Sequence, residues 1–321
     1  MTPDWGTAFI GRFKNGQVYG TFWAEMLHGA FLHGKADEKG FLTGDDIAYI
    51  YPDGETAFKG RFEDKYMRKA YNVDVKKYGC DSDGFFIATE FSPPFSDNIF
   101  KFDPCTNETF GGGSPPEMRD PYEVKTARLG PSEIPNSGQG VIAIRDIPKH
   151  RFATMYSLFI YSGGEQEKLY EKSCVENTTR TDEYRRHCKK YSLGISIYHG
   201  KIDVPPEYDV NPLPNLGPKV NHNFRLNNTF YQVMEHPRWG LIQSVTTARD
   251  IKVGEELFTY YGYGKSPFPN DFPWYWETKM AIEKAEREEK KAQLEKTKTK
   301  KKGQKGQKGQ KGQKGQKVKK K

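Results

Sequence analysis

The sequence predicts a mostly β protein: an N-terminal array of β-hairpin repeats, a compact β domain, and a C-terminal helix that runs into a disordered tail. Three observations carry this prediction. Aromatic residues make up 14% of the 321 residues and glycines number 32, while hydrophobic residues reach only 35%. Rings and glycines at that density, without long helical apolar stripes, suit short strands and tight turns. A seven-residue block recurs near the N-terminus, and the last residues form a lysine-rich repeat that cannot bury apolar surface. The length suggests about two domains.

The repeats come first. Thr7-Ala8-Phe9-Ile10-Gly11-Arg12-Phe13 returns as Thr56-Ala57-Phe58-Lys59-Gly60-Arg61-Phe62, with a weaker copy, Leu32-His33-Gly34, between them. Gly11, Gly34 and Gly60 are 23 and 26 residues apart, the length of one hairpin with its turns. Units that short cannot bury a face alone and must stack into one sheet. Lys65 and Lys69 stand where the third unit would repeat its glycines. The array, residues 5–70, reads as scaffold rather than as a small-molecule site. Residues 71–120 form a connecting region, where strands such as Gly84-Phe85-Phe86-Ile87-Ala88 are expected to continue the sheet.

A compact domain dense in motifs spans 121–264. Residues 265–296 hold an aromatic segment and a helix, with Trp274, Met280, Ile282, Ala285 and Leu294 as a partial apolar stripe. Residues 297–321 are the tail, with Gly-Gln-Lys repeated from Gly303 to Lys317.

The formal net charge is +8, and the 13 lysines of residues 296–321 supply more than all of it. Without them residues 1–295 carry −5, so the high charge belongs to the tail and does not mark the body as a nucleic-acid binder. A lysine run of this kind reads as a solvated or localisation segment. Any nucleic-acid contact through it would be nonspecific and salt-sensitive. Cys80, Cys105, Cys174 and Cys188 form no C-x-x-C pair, so neither a zinc cluster nor a secreted disulfide framework is indicated. No apolar run reaches membrane-spanning length, and a soluble protein of a reducing compartment is expected.

Three segments carry chemistry. Ser137-Gly138-Gln139-Gly140 precedes a strand-like run without the helix that a dinucleotide fingerprint needs, so its glycines point to close backbone approach. Lys219-Val220-Asn221-His222 read alone is a turn with a core histidine. Gly254-Glu255-Glu256-Leu257-Phe258-Thr259-Tyr260-Tyr261 read alone is a turn and an aromatic strand.

In this order, with Asn221 and Tyr261 40 residues apart, the three segments resemble the SET family, which has an early G-x-G, a central N-H pair and a closing G-E-E-L-x-x-x-Y. The N-terminal units resemble MORN repeats. Asp120-Pro121-Tyr122-Glu123, Leu216-Gly217-Pro218-Lys219, His236-Pro237-Arg238 and Pro273-Trp274-Tyr275 are similar to a branch of that family, the MORN-repeat-bearing histone H3 lysine-four monomethyltransferases. The resemblance implies small curved sheets with a knot-like crossing, and protein-lysine methylation from S-adenosylmethionine without a metal. Its expected substrate is a lysine-bearing protein such as a histone tail, in the nucleus on chromatin and also in the cytoplasm. An inactive SET protein serving as a repeat-based interaction scaffold is the alternative.

Residue by residue, the resemblance implies that Ser137, Gly138, Gln139, Lys219, Asn221, His222, Trp274 and Glu277 contact the cofactor. Gln139 stands where a glutamate is usual, and Pro218 replaces a histidine. The aromatic segment beginning at Pro273 takes the place of a zinc-binding closing segment. Tyr156, Tyr231, Tyr261 and Tyr263 are the implied channel and catalytic tyrosines. Counting back from His236 selects Tyr231 as the tyrosine that sets the product, whereas counting forward from Asn221 selects Phe230. A one-residue insertion at Asn227-Asn228 favours Tyr231, and hence monomethylation.

Overall fold

The computed structural model describes residues 6–26, 29–37, 39, 41–82, 84–102, 119–156, 160–162, 193–195, 200–202, 215–262 and 273–311. They divide into two compact units, Met1–Tyr261 and Gly262–Lys321.

The first unit opens with a seven-stranded antiparallel sheet whose strands follow chain order. They are β1 (Gly6–Lys14), β2 (Gln17–Met26), β3 (Phe31–Lys35), β4 (Gly44–Ile50), β5 (Thr56–Glu63), β6 (Tyr66–Cys80) and β7 (Phe86–Phe91). The repeated blocks fall in β1 and β5 and the weak copy in β3, so one repeat is one hairpin. Gly11 and Gly34 both pair with Phe22 across the ladder, and a Cβ on Gly11 would collide with the Phe22 side chain. Asn15 and Gly16 link β1 to β2 with φ of 54° and 78°, the two-residue turn that fits strand twist. Asp64 and Lys65 repeat that turn at φ 46° and 68° without a glycine. Lys65 compensates for the strain by placing Nζ 2.8 Å from Glu235 Oε2, and the Tyr66 hydroxyl donates to Glu235 Oε1.

After α1 (Pro121–Thr126) come β8 (Ala127–Pro131), β9 (Gln139–Ala143) and β10 (Phe152–Tyr156). A small sheet of β11 (Ile160–Ser162), β12 (Leu193–Ile195) and β13 (Gly200–Ile202) follows, in the order β11-β13-β12. Then come β14 (Asn221–His222), β15 (Thr229–His236), β16 (Gly240–Thr247) and β17 (Glu256–Thr259). The second large sheet runs β10-β16-β15-β17-β9-β8, with β14 pairing parallel to β17.

The two large sheets share one core. Phe22, Leu32, Tyr49 and Phe58 pack in the same cluster as Tyr122, Phe152, Met234 and Trp239. A buried polar chain crosses the same junction. The Arg238 amide donates to His236 Nδ1 at 3.1 Å, which leaves Nε2 to donate to the Tyr51 hydroxyl at 3.2 Å. That hydroxyl donates in turn to Asp120, whose other oxygen caps α1 through the Tyr122 and Glu123 amides. Burial holds His236 well below the ordinary histidine range, so it stays neutral.

The second unit contains α2, Pro273–Lys311. The sequence predicts a helix over 274–296 and disorder from 297; the helix instead continues through Lys311. Lysine and glutamine are good helix formers, while each glycine of the repeat costs about 1 kcal/mol relative to alanine, so this end of the helix has the weakest support. Residues 312–321 lie outside the described residues. No helix among the described residues is long and apolar enough to cross a membrane.

Candidate active site

The early glycine turn joins β8 to β9, and it is fixed from below by a carboxylate. Glu256, buried at the start of β17, accepts from the Ser132 hydroxyl at 2.8 Å and from the Glu133 amide at 2.6 Å. Asn221 Nδ2 completes the cluster, sharing its two protons among Glu256 Oε1 (3.1 Å), Ser132 Oγ (3.1 Å) and the Gln139 carbonyl (3.0 Å). A Cβ on Gly140 would collide with the Glu256 carboxylate, so only glycine lets the turn close on it. Gly138, at φ 70°, faces open space, and Ser137 and Gln139 are exposed beside it.

The parallel pairing sets Asn221 opposite Phe258 and His222 opposite Thr259. His222 Nδ1 lies 3.1 Å from both the Thr259 carbonyl and the Tyr261 amide nitrogen, and a neutral ring satisfies one of them at a time. Burial pushes His222 down to about 4, so it carries no charge at neutral pH. The Tyr261 hydroxyl donates to the Val220 carbonyl at 2.9 Å, and its ring lies 5.2 Å from that of His222. Lys219 is half-buried at the end of the preceding 3-10 turn, Gly217–Lys219.

That turn packs against the end of β10, where a Cβ on Gly217 would strike the Met155–Tyr156 peptide. Tyr156 is buried there and meets Tyr231 of β15 edge-on, with ring centroids 6.1 Å apart at 87°. Tyr231 packs against two of the unit's three hydrophobic clusters, while Phe230 turns the other way and is 37% exposed. The side chain of Asn228 sits just before β15. It donates to the Glu256 carbonyl (2.9 Å) and accepts from the Phe258 amide (2.8 Å), taking a ladder position of its own beside β17.

Sequence reasoning missed three residues. Ser132 and Glu256 hold the glycine turn, and Glu123 holds β10. Glu123 Oε1 accepts from the Thr154 hydroxyl, from the Met155 amide (3.3 Å) and from the Leu216 amide (2.8 Å), pinning α1, β10 and the segment before Asn221 together. Complete burial pushes Glu123 up to about 8. Its Oε2 meets no partner among the described residues. Its neighbours Asp120 and Lys125 are charged, so nothing in the local sequence marked Glu123 as buried. Tyr263 lies outside the described residues. Trp274 and Glu277 belong to the first turns of α2 in the second unit, where Glu277 is exposed. Among the described residues, no group of three or more His, Cys, Asp or Glu could hold a metal ion.

Residues 138–262, which hold the glycine turn, the Asn-His pair and the closing tyrosine gathered by the parallel pair, match the SET domain family. Residues 13–82 match the family described as histone H3 K4-specific methyltransferase SET7 N-terminal. The chain is 32% identical over 265 residues to histone-lysine N-methyltransferase SETD7 of Halocynthia roretzi. That match covers 81% of this chain and 63% of the relative's length. Two solved structures of Polycomb Repressive Complex 2 from Chaetomium thermophilum are also similar. One is autoinhibited and bound to S-adenosylmethionine (25% identity, 48% of this chain, 17% of that chain, TM-score 0.32). The other is a humanized mutant bound to the inhibitor GSK343 (24%, 46%, 16%, TM-score 0.32).

Proposed function

We propose that the chain is an S-adenosylmethionine-dependent protein-lysine N-methyltransferase that acts on lysine-bearing proteins such as histone H3 and stops mainly at monomethyl-lysine. The observation that carries this reading is the convergence of residues 138–139, 221–222 and 261 on one strand crossing. The SETD7 relative supports the choice of reaction and substrate class.

The residues around the turn suit the cofactor. Gly138 leaves its outer side open, and exposed Ser137 and Gln139 offer polar groups next to Asn221, His222 and Lys219. When bound, S-adenosylmethionine supplies an electrophilic methyl group on a sulfonium. The protein's share is to present a neutral amine. A free lysine has a pKa of about 10.4, so near pH 7.5 roughly one in a thousand is neutral, a cost of about 4 kcal/mol. Tyr156 and Tyr231 wall the channel with rings that exclude water and disfavour the ammonium. Tyr261, fixed through its proton on the Val220 carbonyl, keeps oxygen lone pairs to accept an amine N–H. The Tyr231 hydroxyl occupies the space that a methylated amine needs for a second transfer.

Residues 296–321 add a nonspecific, salt-sensitive hold on nucleic acid that concentrates the enzyme on chromatin. The test of the whole reading is transfer of labelled methyl from S-adenosylmethionine to histone H3, together with calorimetry of cofactor binding. Transfer to lysine is expected, and no heat at millimolar cofactor sinks the reading.

A further inference from the structure

On the first sheet, away from the residues above, a cavity of about 510 Å³ opens at the junction with the second. Its wall is aromatic. Trp23 of β2 and Tyr78 of β6 lie near-parallel at 28° with centroids 6.4 Å apart, and Tyr78 and Phe86 of β7 at 8° and 5.5 Å. Phe31 closes one side edge-on to Trp23. The indole is fixed, since Trp23 Nε1 donates to the Phe86 carbonyl at 2.6 Å. Phe86 is 57% exposed at the rim, a large ring left in water on an edge strand.

One cation completes the wall. Arg151, the residue before β10, lays its guanidinium against Gly29, where any Cβ would collide with it. Among the described residues this guanidinium has no carboxylate and no hydrogen-bond acceptor. Asp53, in the loop that also lines the cavity through Pro52 and Gly54, is taken by Arg145 at 3.1 Å. Rings alone would suit a quaternary ammonium, but a guanidinium in the same wall repels one. The volume falls within the range of small-molecule sites, about 300–1,000 Å³. Near-parallel rings favour a flat body, and the unneutralised arginine favours an anion, which it can hold through two parallel hydrogen bonds.

We propose that this cavity binds a planar, apolar small molecule bearing one carboxylate or comparable anionic group. The rings take its body and Arg151 its charge, at a site separate from methyl transfer. Calorimetry on the full chain with 2-naphthoate and its neutral counterpart 2-naphthamide tests it. Saturable binding is expected, with naphthoate about tenfold tighter because its hydrogen bonds are charge-assisted. Arg151→Gln should abolish that preference while leaving naphthamide binding unchanged, and Phe86→Ala should weaken both ligands. Both variants should keep wild-type affinity for S-adenosylmethionine. No saturable binding, equal affinities in the unmodified chain, a preference that survives in Arg151→Gln, or loss of cofactor affinity alongside naphthoate affinity each overturns the proposal.

Discussion

In the first sheet β1 pairs with β2, β2 with β3, and so on to β7, whereas in the second β17 is inserted between β15 and β9 and also receives β14. The first sheet therefore draws its order from neighbours in the chain. The second draws its site from afar, since Asn221 reaches partners 35, 82 and 89 residues away. Local pairing yields a repeat that a reader can count; distant pairing yields a site whose parts look ordinary until they meet. The shared core and the Tyr51–Asp120 contact join the two.

The sharpest way to break the comparison is to ask whether the sheets are independent. Phe58 belongs to the first sheet but packs in the common core, so Phe58→Ala should cost about 3–5 kcal/mol. Urea unfolding followed by tryptophan fluorescence and by far-ultraviolet dichroism should show one transition moved to lower urea. Two separated transitions would mean that the local sheet stands alone.

A smaller effect, at most a few kcal/mol, concerns Glu123, which holds the distant pairings around β10. Its folded pKa of about 8 lies above the ordinary 4.5, so the folded chain keeps a proton that the unfolded chain releases. The stability it contributes is full below pH 4.5 and is lost as pH rises through 8. Glu123→Gln keeps an acceptor for the Thr154, Met155 and Leu216 donors and cannot ionise, so its stability should vary less between pH 5 and 8. Denaturation midpoints across that range give the answer, and identical slopes for both proteins would refute it.

Smaller still in stability is Tyr231→Phe, whose effect should appear in product. The unmodified enzyme should stop mainly at monomethyl-lysine and the variant should add dimethyl-lysine, read by mass spectrometry of a peptide driven to completion. Abundant dimethyl product before mutation would remove Tyr231 from that role. Least of all, truncation after Lys296 should leave turnover on a short peptide unchanged, while retention on nucleic acid falls and loses its salt dependence. A large drop in turnover would tie the tail to the chemistry.

The hairpin array was legible because Gly11, Gly34 and Gly60 mark every second strand. Asn221, His222 and Tyr261 were legible only through their joint order. Their supports were not, because nothing near Glu256 or Glu123 in the chain announces Ser132, Asn221 or Leu216 as partners. The choice between Phe230 and Tyr231 stayed open to counting because the two motifs that flank it give registers one residue apart. In the sheet Tyr231 lies opposite Val245 and packs inward, while Phe230 faces the other way.

The insertion of β17 also sets a timetable for synthesis. Until residues 256–259 leave the ribosome, the β10-β16-β15 and β9-β8 ribbons have no strand between them, and Asn221 lacks its carboxylate. The last strand of the first sheet ends at Phe91, 165 residues before Glu256. At about 5–20 residues per second, the scaffold is complete roughly 10–30 seconds before the second sheet can close. Through that interval the apolar faces later covered by the second sheet are open to chaperones or to other nascent chains, and a translational pause before residue 256 lengthens the exposure.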